Sequence, residues 1–245
     1  MSLDLPILMH HYERLDSTST WARFHYTEHN IKRLNLVTAS EQTHGKGSHG
    51  KSWSSPKDMN IYATFFFSTP HSSLNLCNLA QILSLTIARH LTTLGFNPTI
   101  KWPNDLFLDN AKIGGILCEI LPIKDQFLVI LGFGLNVNMP KSLCQEIDQP
   151  TTSLFIANGQ PLDTQKLVKD LAEAFQKDLL IYLKKDFAYF AQEYNSYMIY
   201  RNKPVFFQNT YLGLSKQVNT KGELEILTPQ NTLAAISNGS IKIHH

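Results

Sequence analysis

The sequence predicts an α+β fold, in which a mixed or antiparallel sheet packs with helices and a small β-barrel module follows at the C-terminus. Three observations favour this class. Short β-rich segments follow one another in the middle of the chain with no helix between them. Two long segments show helical hydrophobic periodicity, and the last part of the chain contains only short strands broken by Gly, Asn and Pro.

The first predicted strands flank a loop that is rich in glycine and lysine. Residues 34–39 and 60–67 are rich in β-branched and aromatic residues, which favour strands. Apolar residues then recur at helical spacing over residues 74–94, and Gly95 supplies a stop signal. This pattern predicts a long helix that ends before Gly95.

The middle of the chain alternates between strands and a second long helix. Three strands are predicted at residues 99–102, 112–121 and 127–137. Asp109-Asn110 is typical of a hairpin turn between two of them. An amphipathic helix is predicted over residues 163–183 with Asp163 as its N-cap, and helical structure is expected to continue over residues 186–200.

The C-terminal part of the chain has a different residue pattern. Short strands are predicted at residues 205–207, 213–214, 223–227 and 240–243. Such strands with frequent turn residues are typical of a small β-barrel. The sequence therefore predicts a large domain over residues 1–198 and a small β-barrel module over residues 199–245, with no flexible linker between them.

Composition describes an ordinary globular chain. Of the 245 residues, 43% are hydrophobic and 17% are charged, and the net charge of +2 is too balanced for a broad nucleic-acid surface. The three cysteines form no C-x-x-C pair, which argues against a disulfide scaffold or a zinc site. No signal peptide or membrane-spanning run is visible, so a cytoplasmic location is expected.

One motif suggests a phosphate loop. Residues 45–52, GKGSHGKS, fit the pattern G-x-x-x-x-G-K-[ST] at every required position. Such a loop works by joining a buried strand directly to a helix N-terminus, whose N–H groups bind phosphate. Here a polar stretch separates Gly45 from the preceding strand, and Pro56 breaks any helix that would follow. The context therefore argues against a P-loop nucleotidase.

The same loop still favours an anion as its ligand. Lys46, His49 and Lys51 stand among three glycines between two predicted strands. Glycines allow close backbone approach, and lysines supply positive charge. The alternative is a flexible, solvated basic loop, and the loop alone does not decide between them.

Six stretches together carry a resemblance to a known family. They are residues 15–18 (LDST), 41–53 (EQTHGKGSHGKSW), 101–106 (KWPNDL), 112–119 (KIGGILCE), 132–138 (GFGLNVN) and 152–154 (TSL). In this order and spacing the chain resembles the biotin–protein ligases, or biotin–[acetyl-CoA-carboxylase] ligases, from about residue 10 to its C-terminus. Lys-Trp-Pro-Asn-Asp followed by Lys-x-x-Gly-Ile-Leu is the most specific part, whereas Thr-Ser-Leu alone would mean nothing.

The resemblance implies both a fold and a reaction. The fold is a class II synthetase-like catalytic domain followed by an SH3-like barrel. The enzyme would join biotin to ATP, giving biotinoyl-5′-AMP and pyrophosphate, and would then transfer the biotinoyl group to one lysine of a biotin carboxyl carrier domain. Biotin, ATP and the Mg²⁺ that accompanies ATP are the expected ligands, with no metal ion fixed by the protein.

The resemblance also implies the binding residues. Biotin is expected to contact Ser17, Thr18, Ser19, Gln42, Lys46, Gly47, Ser48, Lys112, Gly115 and Gly132. ATP or the adenylate is expected to contact Lys46, Lys51, Trp53, Asn104, Lys112 and Asn136. Side-chain chemistry alone also allows purely structural roles. The residues from Asp16 to Ser19 suit a helix N-cap, Gln42 suits an exposed loop, and Trp53 suits a core position.

Lys112 and Asp105 are the catalytic residues that the resemblance implies. Attack of a carboxylate on the α-phosphate brings two anions together, and an ammonium group that touches both lowers the barrier. The Asp105 carboxylate can orient the attacking lysine and help to remove its proton. The alternatives are an exposed strand lysine at position 112 and an Asn-Asp turn at residues 104–105.

The chain departs from the family pattern in its basic loop. Three family arginines correspond here to Lys46, Ser48 and Lys51. Lysine keeps a point charge but lacks the bidentate fork of arginine, and serine has no charge at all. Looser retention of the adenylate is therefore expected, unless His49 compensates.

The C-terminus and the remaining partners leave several questions open. A family arginine that reaches ATP is absent near the C-terminus, where Lys242 or His244 could replace it. A lipoate–protein ligase or octanoyltransferase, and a degenerate relative that binds biotin or the carrier without making adenylate, are the alternative functions. The motifs begin so early in the chain that no DNA-binding domain is expected, and hence no nucleic-acid partner. No membrane association is expected either. Both a monomer and a homodimer stay possible.

Overall fold

The computed structural model describes residues 3–70, 75–207, 209–237 and 241–243. The strands of the first sheet are β1 (Leu8–Leu15), β2 (Asn35–Gln42), β3 (Ile61–Pro70), β4 (Thr99–Lys101), β5 (Asp105–Leu108), β6 (Ala111–Ile123) and β7 (Gln126–Leu135). The helices are α1 (Thr18–His25), α2 (Asn78–Thr93), α3 (Lys141–Gln145), α4 (Leu154–Asn158), α5 (Thr164–Lys185) and α6 (Ala191–Tyr197). The second sheet contains β8 (Pro204–Phe207), β9 (Thr210–Val218), β10 (Leu224–Leu227), β11 (Leu233–Ile236) and β12 (Ile241–Ile243).

The first sheet is mixed and has the order β1-β2-β3-β7-β6-β5-β4. Only the β1–β2 pair is parallel among its described pairings; the others are antiparallel. The second sheet has the order β11-β10-β9-β8-β12, with antiparallel pairs. The predicted α+β class is therefore confirmed. Closure of the second sheet into an SH3-like barrel stays a prediction, as does a domain boundary at residues 198/199.

Helices cover the first sheet on both faces. Side chains of β3 alternate between them: Phe65 belongs to the large core that includes α2 and α5, whereas Phe66 belongs to a smaller cluster under α1. Every residue of β3 except its last is buried. A strand that is buried on both faces has a nearly continuous apolar sequence, and the run NIYATFFF predicted this strand for that reason.

Aromatic contacts hold α1 against the sheet. The Trp21 ring stacks on His25 with a centroid distance of 4.8 Å, and it also lies 5.3 Å from His29. His10 of β1 lies 4.5 Å from His29, and burial together with this neighbour lowers the pKa of His29. These contacts fix the C-terminal half of α1, so that its N-terminus is held at a constant place over β3 and β7.

Helix α5 begins at the predicted cap. The Asp163 carboxylate accepts hydrogen bonds from the backbone N–H groups of Gln165 and Lys166 at 2.9 and 3.0 Å. Replacing Asp163 by alanine is therefore expected to lower the free energy of unfolding by about 1 kcal/mol. Urea denaturation measures this difference. Asp163→Asn is the matched control because it retains the cap, and equal midpoints for the two variants would contradict the role of Asp163.

Several predicted boundaries were wrong. The first long helix begins at Asn78, and Leu74, where its periodicity begins, lies outside the described residues. The helical region after α5 is broken because Asp186 has a φ of 60°, and α6 ends at Tyr197 rather than at Tyr200. Strands β1, β5 and β11 were missed. The Asp109-Asn110 turn is confirmed, and both residues have positive φ, but it joins β6 to the missed strand β5 rather than to the predicted strand at residues 99–102.

Candidate active site

A cavity opens on the α1 face of the first sheet. Its lining residues are Ser17, Thr18, Ser19, Gln42, Lys46, Gly47, Ser48, Trp53, Asp105, Lys112, Gly115, Ile116, Leu117, Gly132, Phe133 and Gly134. The structure thus brings together every predicted biotin-contacting residue and both predicted catalytic residues.

An ion pair lies at one end of the cavity. The Lys112 Nζ atom is 2.8 Å from Asp105 Oδ1, and the two side chains are 16% and 32% exposed. The backbone of Lys112 is fixed by two hydrogen bonds to residues 150–152, because its N–H donates to Pro150 and its carbonyl accepts from Thr152. A partly buried ammonium group is therefore presented at a fixed position on the cavity wall.

Gly115, which lies opposite Asp105, leaves room for this ion pair. Asp105 pairs with Gly115 across β5 and β6, so their side-chain positions share one face of the sheet. A Cβ atom on Gly115 would lie 3.1 Å from Asp105 Oδ1 and 3.4 Å from Lys112 Nζ. Both distances are close to contact, so a side chain at position 115 would crowd the charged pair and whatever binds to it.

The N-terminus of α1 supplies hydroxyl groups to the other end of the cavity. Ser17 caps the helix by accepting from the Thr20 N–H. Gln42 Oε1 accepts from the Thr18 N–H at 2.9 Å and from the Thr18 hydroxyl at 3.2 Å. The helix-cap role and a place in the cavity therefore both hold for Ser17, while Gln42 is a structured residue rather than an exposed loop residue.

Two polar residues that sequence reasoning missed complete this hydrogen-bonding network. The Thr64 hydroxyl of β3 donates to the Thr18 hydroxyl at 2.8 Å and lies 3.2 Å from the Ser19 hydroxyl. The Gln42 amide donates to the Ser55 hydroxyl at 2.8 Å. Buried hydroxyl and amide groups in one network hold each other in fixed orientations, which suits recognition of a rigid polar ligand.

Bare backbone forms the floor of the cavity. A Cβ atom on Gly132 would lie 2.4 Å from Ser19 Oγ, and one on Gly134 would lie 2.4 Å from the Trp53 ring. Trp53 therefore packs directly on β7, and Lys112 Nζ lies 5.6 Å from its ring centroid. The Trp53 indole N–H is buried and has no hydrogen-bond partner among the described residues. A buried donor without a partner beside a cavity is a candidate ligand contact.

Three residues expected at the nucleotide do not line the cavity. The Asn104 side chain donates to the Ile116 carbonyl, and the buried Asn136 side chain donates to the Thr152 carbonyl at 3.1 Å. Lys51 is exposed, and its carbonyl accepts from the Gly47 N–H at 2.7 Å. The two asparagines hold backbone around the cavity, so any nucleotide contact by them stays a prediction.

The basic loop has no P-loop geometry. Residues 48–50 form a single 3-10 turn, and Lys46 bridges to Ser52 as in a narrow hairpin. No α-helix begins over residues 51–60, all of which are described. The rejection of a P-loop is therefore confirmed. The side chain of His49 lies outside the described part of the chain, so its predicted compensation for Ser48 stays a prediction, as do the roles of Lys242 and His244.

A third lysine lies close to the ion pair. Lys101 of β4 is the strand partner of Asp105 and is partly buried. Burial lowers its pKa, and the Lys112 and Lys51 ammonium groups lower it further, while Asp105 opposes these effects. Two lysines, Lys101 and Lys112, thus flank one carboxylate at this end of the cavity, and such an excess of positive charge favours binding of further anions.

Comparison with known proteins decides the family. The sequence model of the Biotin/lipoate A/B protein ligase family matches residues 12–136, which include all the cavity residues. The chain belongs to this family. The resemblance to biotin–protein ligases that was predicted from the motifs is confirmed.

Relatives of this ligase family have names that agree with each other. The chain is 26% identical over 215 residues to the bifunctional ligase/repressor BirA of Escherichia coli, covering 86% of this chain and 66% of BirA. It is 30% identical over 150 residues to the biotin–[acetyl-CoA-carboxylase] ligase of Mycobacterium tuberculosis, covering 59% of this chain and 54% of that protein. The chain thus spans about two thirds of the length of BirA.

Solved structures of the family show the same fold over nearly the whole chain. The biotin protein ligase from Aquifex aeolicus in complex with biotin and ATP has a TM-score of 0.79 at 25% identity, covering 97% of this chain and 98% of that one.

In the described residues, no group of three or more His, Cys, Asp or Glu side chains could hold a metal ion. No helix there is long and apolar enough to cross a membrane.

Proposed function

We propose that this chain attaches biotin to a lysine of a biotin carboxyl carrier protein, with ATP as co-substrate and biotinoyl-5′-AMP as intermediate. The observation that carries the proposal is the partly buried Lys112 ammonium group, which lines the same cavity as the hydroxyl groups at the start of α1. The names of the relatives and the biotin- and ATP-bound Aquifex aeolicus ligase support the choice of substrates.

Biotin recognition is assigned to the α1 end of the cavity. The ureido ring of biotin has two N–H donors and a carbonyl acceptor, and hydroxyl groups can both donate and accept. Ser17, Thr18 and Ser19 present such groups from the start of α1, and Gln42 adds an amide. The valeryl chain then lies along the bare backbone of Gly132 and Gly115, which directs the biotin carboxylate towards Lys112.

Lys112 acts in the first half-reaction. A biotin carboxylate oxygen attacks the α-phosphorus of ATP, a new P–O bond forms, and the bond to the β-phosphate oxygen breaks to release pyrophosphate. Negative charge from both reactants concentrates between the carboxylate and the α-phosphate, and the Lys112 ammonium group stabilises it without transferring a proton. Low exposure of Lys112 strengthens this interaction, because less water screens it.

Asp105 acts in the second half-reaction. The acceptor lysine amine attacks the acyl carbon of biotinoyl-5′-AMP, a C–N bond forms, and the C–O bond to AMP breaks. The amine must lose protons to become an amide, and the Asp105 carboxylate, which is 32% exposed, is accessible to orient it and accept a proton. Mg²⁺ enters with ATP in this proposal.

The altered basic loop suggests that this enzyme retains its intermediate loosely. Ser48 lines the cavity but carries no charge. Replacing it by arginine is expected to slow the release of biotinoyl-5′-AMP into solution by up to about fivefold, because an exposed pair of opposite charges contributes about 0.2–1 kcal/mol. Release is measured by filtration of enzyme loaded with labelled biotin. Ser48→Gln is the neutral control, and an equal release rate in the two variants would contradict the role of charge.

One assay tests the proposed function against its rivals. Pyrophosphate release is measured with MgATP and either biotin or lipoate, and the mass of a co-incubated biotin carboxyl carrier domain is then determined. Biotin-dependent release with addition of one biotinoyl group supports the proposal. Lipoate-dependent release would instead indicate a lipoate ligase, and absence of release with either acid would indicate a binding protein that forms no adenylate.

The cellular setting belongs to the same proposal. The partner is a carrier domain of a biotin-dependent carboxylase, and the reaction takes place in the cytoplasm, where the three free cysteines stay reduced. Pairing of two copies into a homodimer is the remaining question of assembly. Light scattering of the purified chain with and without biotin and ATP determines the number of copies.

A further inference from the structure

The Asp105 carboxylate faces two competing demands, given the proposed function. In this structure its Oδ1 atom binds Lys112 Nζ at 2.8 Å. When substrates are bound, the same ammonium group contacts the biotin carboxylate and the α-phosphate. Asp105 then loses its partner while new negative charge arrives beside it, and like charges repel each other. A carboxylate without a partner is no longer held where it can accept a proton from the acceptor lysine.

Lys101 stands where it can resolve this conflict. It is the directly paired residue of Asp105 across β4 and β5. Paired residues of an antiparallel sheet share one face and have Cβ atoms about 4.5–5.5 Å apart, a gap that a lysine side chain spans. The partly buried Lys101 ammonium group has no ion pair within 4.0 Å among the described residues.

We propose that Lys101 is a positioning residue that takes over the Asp105 carboxylate when Lys112 turns to the substrate anions. Lys101 and Lys112 approach Asp105 from the two strands on either side of β5, so the carboxylate can exchange one ammonium partner for the other. The exchange keeps the Asp105 carboxylate in place for the second half-reaction. Lys101 touches neither reacting group in this role, which rests on the proposed function of the site.

Other groups around Asp105 cannot substitute for Lys101. Lys46, which lines the same cavity, and Lys51 are both exposed on the basic loop, where water screens their charges. Tyr194 of α6 senses the Asp105 charge, but burial raises its pKa, and its hydroxyl donates to the Pro103 carbonyl at 2.7 Å. Tyr194 therefore stays neutral and engaged. Lys101 is the cation on the elements packed against Asp105 that has no other described partner.

The test separates the two half-reactions. Lys101→Met, Lys101→Arg and wild type are loaded with biotinoyl-5′-AMP, mixed with a biotin carboxyl carrier domain, and the single-turnover transfer rate is measured. Adenylate formation is measured separately by pyrophosphate release. Lys177→Met is the control for loss of one positive charge, because Lys177 is exposed on α5, far from the cavity residues in the fold, and methionine has a similar helix propensity.

The expected effect follows from loss of the cation that holds Asp105 in the loaded enzyme. In Lys101→Met the single-turnover transfer rate is expected to fall about tenfold, while adenylate formation changes less. Lys101→Arg keeps the charge and is expected to restore most of the wild-type transfer rate, while Lys177→Met leaves it unchanged.

Two outcomes would overturn the inference, and they differ from failure of the proposed function. If Lys101→Met transfers at the wild-type rate, or if transfer and adenylate formation fall equally, Lys101 does not act through Asp105. If instead wild-type enzyme forms no adenylate with biotin, the proposed function itself is wrong. The wild-type measurement is therefore made first.

Discussion

Replacing Lys112 by methionine is expected to slow biotin-dependent pyrophosphate release by about 100-fold or more. The substitution keeps the apolar stem of the side chain and removes the ammonium group that, in the proposed function, faces both substrate anions. Loss of one such electrostatic group in other enzymes costs about 10²–10³ in rate. Lys112→Arg keeps a cation on the same strand and is expected to retain more activity than Lys112→Met, although its planar group fits the cavity differently.

A second variant shows whether the loss arises from the missing cation. Lys112→Met also leaves Asp105 without its 2.8 Å partner, and an unpaired carboxylate could itself repel the substrates. The double variant Lys112→Met with Asp105→Asn removes that charge. If it regains most of the rate of pyrophosphate release, repulsion by Asp105 explains the defect and direct stabilisation by Lys112 is refuted. We expect the double variant to stay as slow as the single one.

The wild-type fold should persist in these variants. The Lys112–Asp105 pair lies at a cavity wall rather than in the core, and removal of a partly exposed ion pair changes the free energy of unfolding by only about 1 kcal/mol. Thermal denaturation of both variants checks this. A large loss of stability would mean that the rate effect reports unfolding rather than chemistry.

Local rules in the sequence predicted a large part of this fold. Asp163 caps α5 because a carboxylate can reach two N–H groups of its own chain within three residues. Asp109-Asn110 forms the β5–β6 turn because both residue types tolerate positive φ. Such contacts depend on neighbours in sequence, so the pattern alone contains the information. The same holds for β3, whose apolar run is continuous.

Elements that depend on distant contacts were missed. Strand β1 is mostly exposed and polar, and its parallel pairing with β2 joins residues 27 positions apart, such as Leu8 and Asn35. Strand β5 has four residues, too few to show a period. Neither segment has a local signal that separates it from a loop, because the sheet partner stabilises it.

The same limit applies to the candidate site. Motifs named most of the cavity wall, since the family pattern records residues that meet in space. Thr64 lies in the apolar run of β3, and only the fold shows that its hydroxyl meets Thr18, 46 positions away. The packing of Trp53 on Gly134 is equally non-local. A polar residue inside an otherwise apolar strand is the signal that could have pointed to Thr64, because a buried hydroxyl needs a partner.

Replacing Gly222 by alanine is expected to have the largest effect on stability among the substitutions considered, and to reach the active site. Gly222 lies in the turn between β9 and β10 with a φ of +83°. A Cβ atom there would lie 2.5 Å from Gln81 Oε1 and 2.7 Å from Asn78 Oδ1, both on α2. Residues with side chains rarely adopt this φ, which alone costs about 1–2 kcal/mol.

The contact between the Gly222 turn and α2, which the added Cβ atom would crowd, is also the junction between the two sheets. The Gly222 carbonyl accepts from Gln81 Nε2 at 2.8 Å and from Trp102 Nε1 at 3.0 Å, and both bonds are buried. Displacing the turn leaves these donors unsatisfied, at about 1–3 kcal/mol each. Trp102 directly follows Lys101, so a loosened turn also loosens the β4–β5 hairpin that holds Asp105. We expect slower transfer of the biotinoyl group as well as lower stability.

Gly95→Ala provides the matched control. Gly95 has a φ of +89°, almost the same as Gly222, but a Cβ atom there meets nothing within 4 Å. Both variants therefore carry the same backbone strain, and the difference between their urea midpoints reports the junction alone. We expect Gly222→Ala to lose about 2 kcal/mol more than Gly95→Ala. The transfer rate at a temperature where both are folded completes the comparison: if the two variants match wild type there, the C-terminal sheet does not position the β4–β5 hairpin for the proposed reaction.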